Sequence, residues 1–248
     1  MQRTLAVMRR LCAVFAFAVC VFAGCGVAGA AEAELLRVNL FPTAKQLPFL
    51  LGIERGIFAR HGIRLDLQYT ENSTTQRAAL ADGTVDIVHS AVDNAVAMVE
   101  MAGKDVVIVM GGDSGSNEFI VQSHLNTFAD LRGKILVVDA TDTAFALQAK
   151  KILVNHGLRD GVDYRIKAIG RGAQRLQAMI DDKSHAAAIM NPPYPQIGYV
   201  RDARLSPEGF RATLALRAEI ENKGGALPPP EKYLDLSYYQ RAIATLPR

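Results

Sequence analysis

Cysteine is almost missing from this chain, and its placement excludes several chemistries at once. The only three, Cys12, Cys20 and Cys25, fall within the first thirty residues. A chain cut after Ala30 has none, so neither a disulfide nor a cysteine nucleophile belongs to the remaining fold. Such a chain must rely on its core, and 50% hydrophobic residues over more than two hundred positions suffice for one, arranged as two lobes. An excess of charge is also lacking. The 28 Lys and Arg face 25 Asp and Glu, but Arg3, Arg9 and Arg10 sit in a leader without acids, which leaves the remainder balanced. Without a basic field, nucleic acid is excluded as a partner. The five histidines, His61, His89, His124, His156 and His185, show no HExxH or other metal-ligand spacing, and neither a P-loop nor a G-x-S-x-G elbow occurs. No metal, cofactor or catalytic residue is expected, and the chain is read as no enzyme. Of the histidines, His89 alone lies at a strand end facing a presumed cleft.

Only one long apolar run is present. Leu11 to Ala23 comes after the basic start and is shorter than the span of about 20 residues that a membrane helix needs. Small residues then lead to Ala28-Gly29-Ala30, an A-x-A cleavage pattern, so residues 1–30 are expected to be a signal peptide and the mature chain periplasmic. A second reading stays open. Phe22-Ala23-Gly24-Cys25 resembles a lipoprotein box, and cleavage before Cys25 would leave a lipid anchor there as the chain's only tie to a membrane.

Beyond the leader, short β-branched runs alternate with helical patterns, the mark of βαβ units around parallel sheet. Strands are expected at 36–41, 63–67, 85–88 and 106–110, then at 119–121, 135–138, 164–169 and 186–190. Helices are expected at 47–59, 74–82, 93–102, 143–156, 173–182, 207–222 and 233–246. The glycine cluster Gly111, Gly112 and Gly115 breaks the rhythm, and the chain is expected to cross there between lobes. The resulting division is 31–113 for a first lobe, 114–200 for a second, and 201–248 for C-terminal helices packing on the first.

Three motifs then carry a resemblance. Gly52 to Ile63 (GIERGIFARHGI) resembles a G-x-F-x-x-x-G-[ILV] helix–turn–strand, Leu80 to Ile87 (LADGTVDI) an L-x-x-G-x-[VL]-D-[IV] step, and Asp130 to Lys134 (DLRGK) a D-L-[KR]-G-K entry to a strand. Together they resemble the SsuA-like periplasmic solute-binding proteins for nitrate, sulfonate, taurine and thiamine precursors, over about Arg37 to Pro193. The resemblance implies a type II periplasmic-binding-protein fold, α/β in two lobes with an interlobe cleft, a small-molecule ligand, and an ABC transporter permease as partner. One departure stands out. Where such proteins carry a longer return crossover after Tyr194, this chain runs almost directly into its C-terminal helices, so the second crossover is shortened and closure is expected to be looser.

Ligands of open α/β sheets bind beyond the carboxyl ends of strands, at helix N-termini. By that rule the candidate ligand-binding residues are Phe41, Thr43 and Gln46; Ser90 and Asn94; Thr141, Asp142 and Thr143; and Asn191 and Tyr194. Ser90, Asp93 and Thr141–Thr143 read equally well as helix caps worth about 1 kcal/mol each. Asp93 and Asp142 speak against a bare anion unless they point away, since a carboxylate beside a bound anion is repulsive. A zwitterionic or heteroaromatic ligand with N–H donors tolerates them better, which tilts the reading away from nitrate; the expected ligand is a sulfonate, a taurine-like molecule or a heteroaromatic thiamine-precursor-like one. Two alternatives share the fold: an enzyme of the pyrimidine-synthase or menaquinone-pathway type, against which the leader argues, and a sensor-like binding protein that transports nothing.

Overall fold

The computed structural model describes residues 32–112, 117–191, 200, 202–221 and 225–246. The leader, Gly115 and Tyr194 lie outside them.

Two sheets organise the chain. The first has the order β2-β1-β3, from β1 (Glu34–Leu40), β2 (Ile63–Tyr69) and β3 (Ile87–Val88). Between β1 and β2 lie α1 (Leu47–Glu54) and α2 (Ile57–Arg60); α3 (Ser73–Ala81) and α4 (Val92–Ala102) flank β3. The single helix expected at 47–59 is thus two. Gly56 takes φ +63 between them, a left-handed geometry that glycine adopts without a Cβ clash.

The second sheet runs β4-β7-β5-β6, from β4 (Glu118–Val121), β5 (Ile135–Val138), β6 (Arg165–Ala168) and β7 (His185–Met190). β7 lies parallel to β5 and antiparallel to β4. All six residues of β7 are buried, which suits a central strand covered on both faces and fits the apolar run Ala186 to Met190 that follows His185. α5 (Ala144–Asn155) turns Ala146, Ala149 and Leu153 onto Leu136, Val138, Ala187 and Ile189, the main core. α6 (Gly172–Asp181) covers β7 through Met179.

The C-terminal α7 (Pro207–Ile220) starts on Ser206, whose hydroxyl accepts from Gly209 N, and its Phe210 and Leu214 join Val96, Ile108 and Tyr233 in a separate core. The phenol ring of Tyr233 meets Phe210 edge-on at 6.1 Å. The last helix, α8 (Ser237–Ala244), is shorter than expected: Tyr233 ends a 3-10 turn that starts at Pro230, and Leu234 and Asp235 pair with Ile108. The strand expected at 106–110 does not form. Ile108 makes one isolated bridge to Leu234, with Ile108 N donating to Tyr233 O at 2.8 Å. A β-branched run becomes a strand only when a neighbour pairs with it, and none among the described residues does so along its length.

Candidate functional site

A cavity of 1690 Å³ opens where α3, α4, α5 and α6 begin. Ser73 and Arg77, Val92 to Asn94, Thr143 and Ala144, and Gly172 and Ala173 all line it. The first turns of four helices so placed bring partial positive charge to one space, although the Asn72 side chain already caps α3 by accepting from Thr75 N.

Two of these termini lack the side-chain caps that the sequence suggests. Ala91 is the N-cap of α4 and makes no side-chain bond; Thr143 is the N-cap of α5 and makes none either. The residues read as caps are used differently. Thr143 Oγ1 donates to Asp139 Oδ1 at 2.7 Å, and Ser90 Oγ accepts from Asn94 Nδ2 at 2.9 Å. Asp93 accepts two hydrogen bonds from Arg217, Nε at 2.6 Å and Nη2 at 2.8 Å, with both side chains buried.

Asp139 forms the hub. It is 3% exposed, and besides Thr143 it accepts from Ser73 Oγ at 2.5 Å, which ties α3 to the end of β5. Two further contacts run from α3 and the residues before it to the segments that begin α5 and α6: Arg77 Nη2 to Asp142 Oδ1 at 2.8 Å, and Arg171 Nε to Glu71 Oε2 at 2.8 Å. Burial raises the Asp142 carboxyl, but the hydrogen bond and charge of Arg77 outweigh it and hold the group below its ordinary value. Both aspartates that seemed to disfavour an anion are therefore matched by an arginine.

Arg175, in the first turn of α6, is the residue that sequence reasoning missed. It is 2% exposed and lines the cavity, its guanidinium lies 5.6 Å from the Phe145 ring centroid, and its Nη1 donates to Gly170 O. Its Nε is buried without a partner, as is Asn94 Oδ1. Burial pulls the guanidinium below its ordinary value, with Asp139 opposing. A signal existed: a cation at the start of a helix opposes the dipole and needs a reason to be there.

Phe41, Thr43, Ser90, Asn94, Thr143 and Asn191 line the cavity; Gln46, Thr141 and Asp142 do not. Thr43 Oγ1 instead caps the short turn after β1 by accepting from Lys45 N. Asn191 Nδ2 donates to Asn117 Oδ1 at 2.8 Å. His89 lines the cavity with its ring 5.8 Å from Phe49, edge-on. Among the described residues no cluster of three His, Cys, Asp or Glu could hold a metal, and no helix is long and apolar enough to cross a membrane.

A family model described as "ABC transporter, phosphonate, periplasmic substrate-binding protein" matches residues 48–205. No curated protein matches the chain. Among solved structures, the ligand-binding component of an ABC-type import system from Staphylococcus aureus superposes with a TM-score of 0.63 at 10% identity, over 84% of this chain and 99% of that one. The alkanesulfonate-binding protein SsuA of Xanthomonas axonopodis pv. citri, bound to MOPS, gives 0.53 at 16% identity, over 88% and 86%. The periplasmic nitrate-binding protein NrtA of Synechocystis PCC 6803 gives 0.53 at 12% identity, over 66% and 48%, so this chain spans about half of that relative's length. At these identities the likeness establishes the type II periplasmic-binding fold.

Proposed function

Because the chain belongs to the phosphonate family of periplasmic substrate-binding proteins of ABC transporters, we propose that it is the extracytoplasmic binding component of an ABC importer and takes an organic ligand with a phosphonate or sulfonate head. The observation that carries this reading is the buried, partnerless Nε of Arg175 at a cavity into which the uncapped ends of α4 and α5 open. An oxyanion there would receive a charge-assisted hydrogen bond together with backbone N–H groups. Asn94 and Thr143 complete the polar lining, and Ser90 and Asn191 flank it. Residues 31–113 and 114–200 act as the two lobes in this reading, with the contacts of Asp139, Arg77 and Arg171 drawn between them. A membrane permease is the partner that receives the ligand, and export through the leader carries the protein out of the cytoplasm.

Calorimetric titration of the protein with methylphosphonate, taurine and nitrate tests the reading. Methylphosphonate or taurine should bind, and Arg175→Gln should weaken that binding by about 1.5–3 kcal/mol, the worth of a hydrogen bond to a charged group. Circular dichroism establishes that the variant is folded. A folded Arg175→Gln protein that binds as tightly as the wild type would exclude Arg175 as the anion contact.

A further inference from the structure

Five large apolar side chains stand in water within eleven positions of α1 and α2. Leu47, Leu50, Leu51, Ile53 and Ile57 are each between 39% and 46% exposed, and none of them lines the cavity. The cavity side is taken by Pro48, Phe49 and Phe58. Of the eight residues of α1 only Gly52 is buried, with the ring of Phe58 close against it. Successive helix positions turn by about 100°, so Leu47, Leu50, Leu51 and Ile53 cover an arc of about 160°. A helix seated on a rigid neighbour needs an apolar stripe of about 100°; a broader exposed arc suits a fluid medium that wraps it. The charge around this surface has a sign. Residues 45–66 hold Lys45, Arg55, Arg60 and Arg64 against Glu54 and Asp66, whereas the chain beyond the leader is balanced. The three arginines are exposed. Hydrocarbon rimmed by cations is the chemistry that meets an anionic bilayer, with apolar side chains at the acyl boundary and arginines among the head groups. Among the described residues no helix is long and apolar enough to cross a membrane, so contact of this kind lies on the bilayer and does not span it.

We propose that α1 and α2 form a lipid-contacting surface that rests at the boundary of an anionic phospholipid membrane. The inference does not depend on the anion reading of the cavity. It adds a second, peripheral partner, and it confines the protein to the plane in which a permease would receive its ligand.

The test uses a single tryptophan, because the chain contains none. Leu51→Trp reports from α1, and Val162→Trp, at a residue 67% exposed between α5 and β6, is the control. Circular dichroism verifies that both full-length proteins are folded. Vesicles of phosphatidylglycerol and phosphatidylethanolamine should shift the Leu51→Trp emission to the blue, and brominated acyl chains should quench it. Val162→Trp should show neither effect, so binding through the leader alone is told apart from contact at α1. Arg55→Gln, Arg60→Gln and Arg64→Gln, added to Leu51→Trp, should each weaken the binding about fivefold. Phosphatidylcholine vesicles should bind weakly. A Leu51→Trp emission that ignores the vesicles, or shifts no more than that of Val162→Trp, overturns the proposal. Two other results overturn it by naming another occupant. A blue shift without lipid that grows with protein concentration, matched by a dimer in sedimentation, assigns the face to a second copy. A shift seen with native inner-membrane vesicles but not with pure lipid assigns it to a membrane protein.

Discussion

The guanidinium of Arg217 on α7 grips the carboxylate of Asp93 on α4 through two hydrogen bonds of 2.6 and 2.8 Å, with each residue 2% exposed. The two lie 124 positions apart in sequence. Arg217 Nη2 also reaches Asp142 O at 3.1 Å, so one side chain fastens the C-terminal helix to α4 and to the segment before α5. Burial lowers the guanidinium value, but the bond and charge of Asp93 win and raise it above its ordinary level.

Removing one partner strands the other charge in the interior. Arg217→Met should therefore cost about 3–5 kcal/mol, while the pair Arg217→Met with Asp93→Leu should recover much of that loss. Urea denaturation of the three proteins measures both effects. A single variant as stable as the wild type would show that the pair contributes nothing.

The Ser73–Asp139 bond joins α3 to the end of β5, both of which line the cavity. A double-mutant cycle with Ser73→Ala and Asp139→Asn should return a coupling of about 1.5–3 kcal/mol, the range for a hydrogen bond to a charged acceptor. The cycle is read from denaturation midpoints, and additive effects would count against the bond.

Acid should reveal the Arg37–Asp86 pair. The Arg37 side chain, then its backbone N–H, hold Asp86 at about 2 against an ordinary 3.8. A carboxyl depressed on folding stabilises the protein above its unfolded value, and that contribution fades as pH falls from about 4 toward 2. Arg37→Met should lose less stability over that interval than the wild type does. Because both side chains are over a third exposed, 0.5 M salt should shrink the difference. Thermal melts at pH 5 and pH 3 check it.

Gly111 is required by close approach rather than by backbone freedom. A Cβ there would lie 2.6 Å from the carbonyl oxygen of Arg204, and Gly111 N donates to Ala203 O at 2.9 Å. Gly111→Ala should destabilise by about 1–3 kcal/mol, as overpacking does. Gly112→Ala, whose Cβ would meet only His89 Nε2 at 3.7 Å, should be nearly neutral. Equal melting temperatures for both variants would refute the close approach.

Most of the element order could be read from local pattern. The alternation in Ile63 to Leu67, the apolar face of Phe145, Ala149, Ile152 and Leu153, and the stop at Gly157 are short-range signals, and the chain obeys them. The end-of-strand rule likewise named Asn94, Thr143 and Asn191, which the fold brings to one cavity. Where the pattern failed, a neighbour decided. Val106 to Met110 has the composition of a strand but bridges only at Ile108. Asp93 has the position of a cap but turns to Arg217 instead.

Composition and short-range pattern were enough for the α/β plan, for the absence of cysteine chemistry beyond the first thirty residues and for the balance of charge, because each depends on counts or on residues a few positions apart. Other features had to wait for packing. Ser73 meets Asp139 across 66 positions, arginines match Asp93 and Asp142, and one edge of β3 has no partner strand among the described residues. Hydrogen bonds and ion pairs act over about 3 Å, so which groups come that close is set by how the sheets and helices assemble.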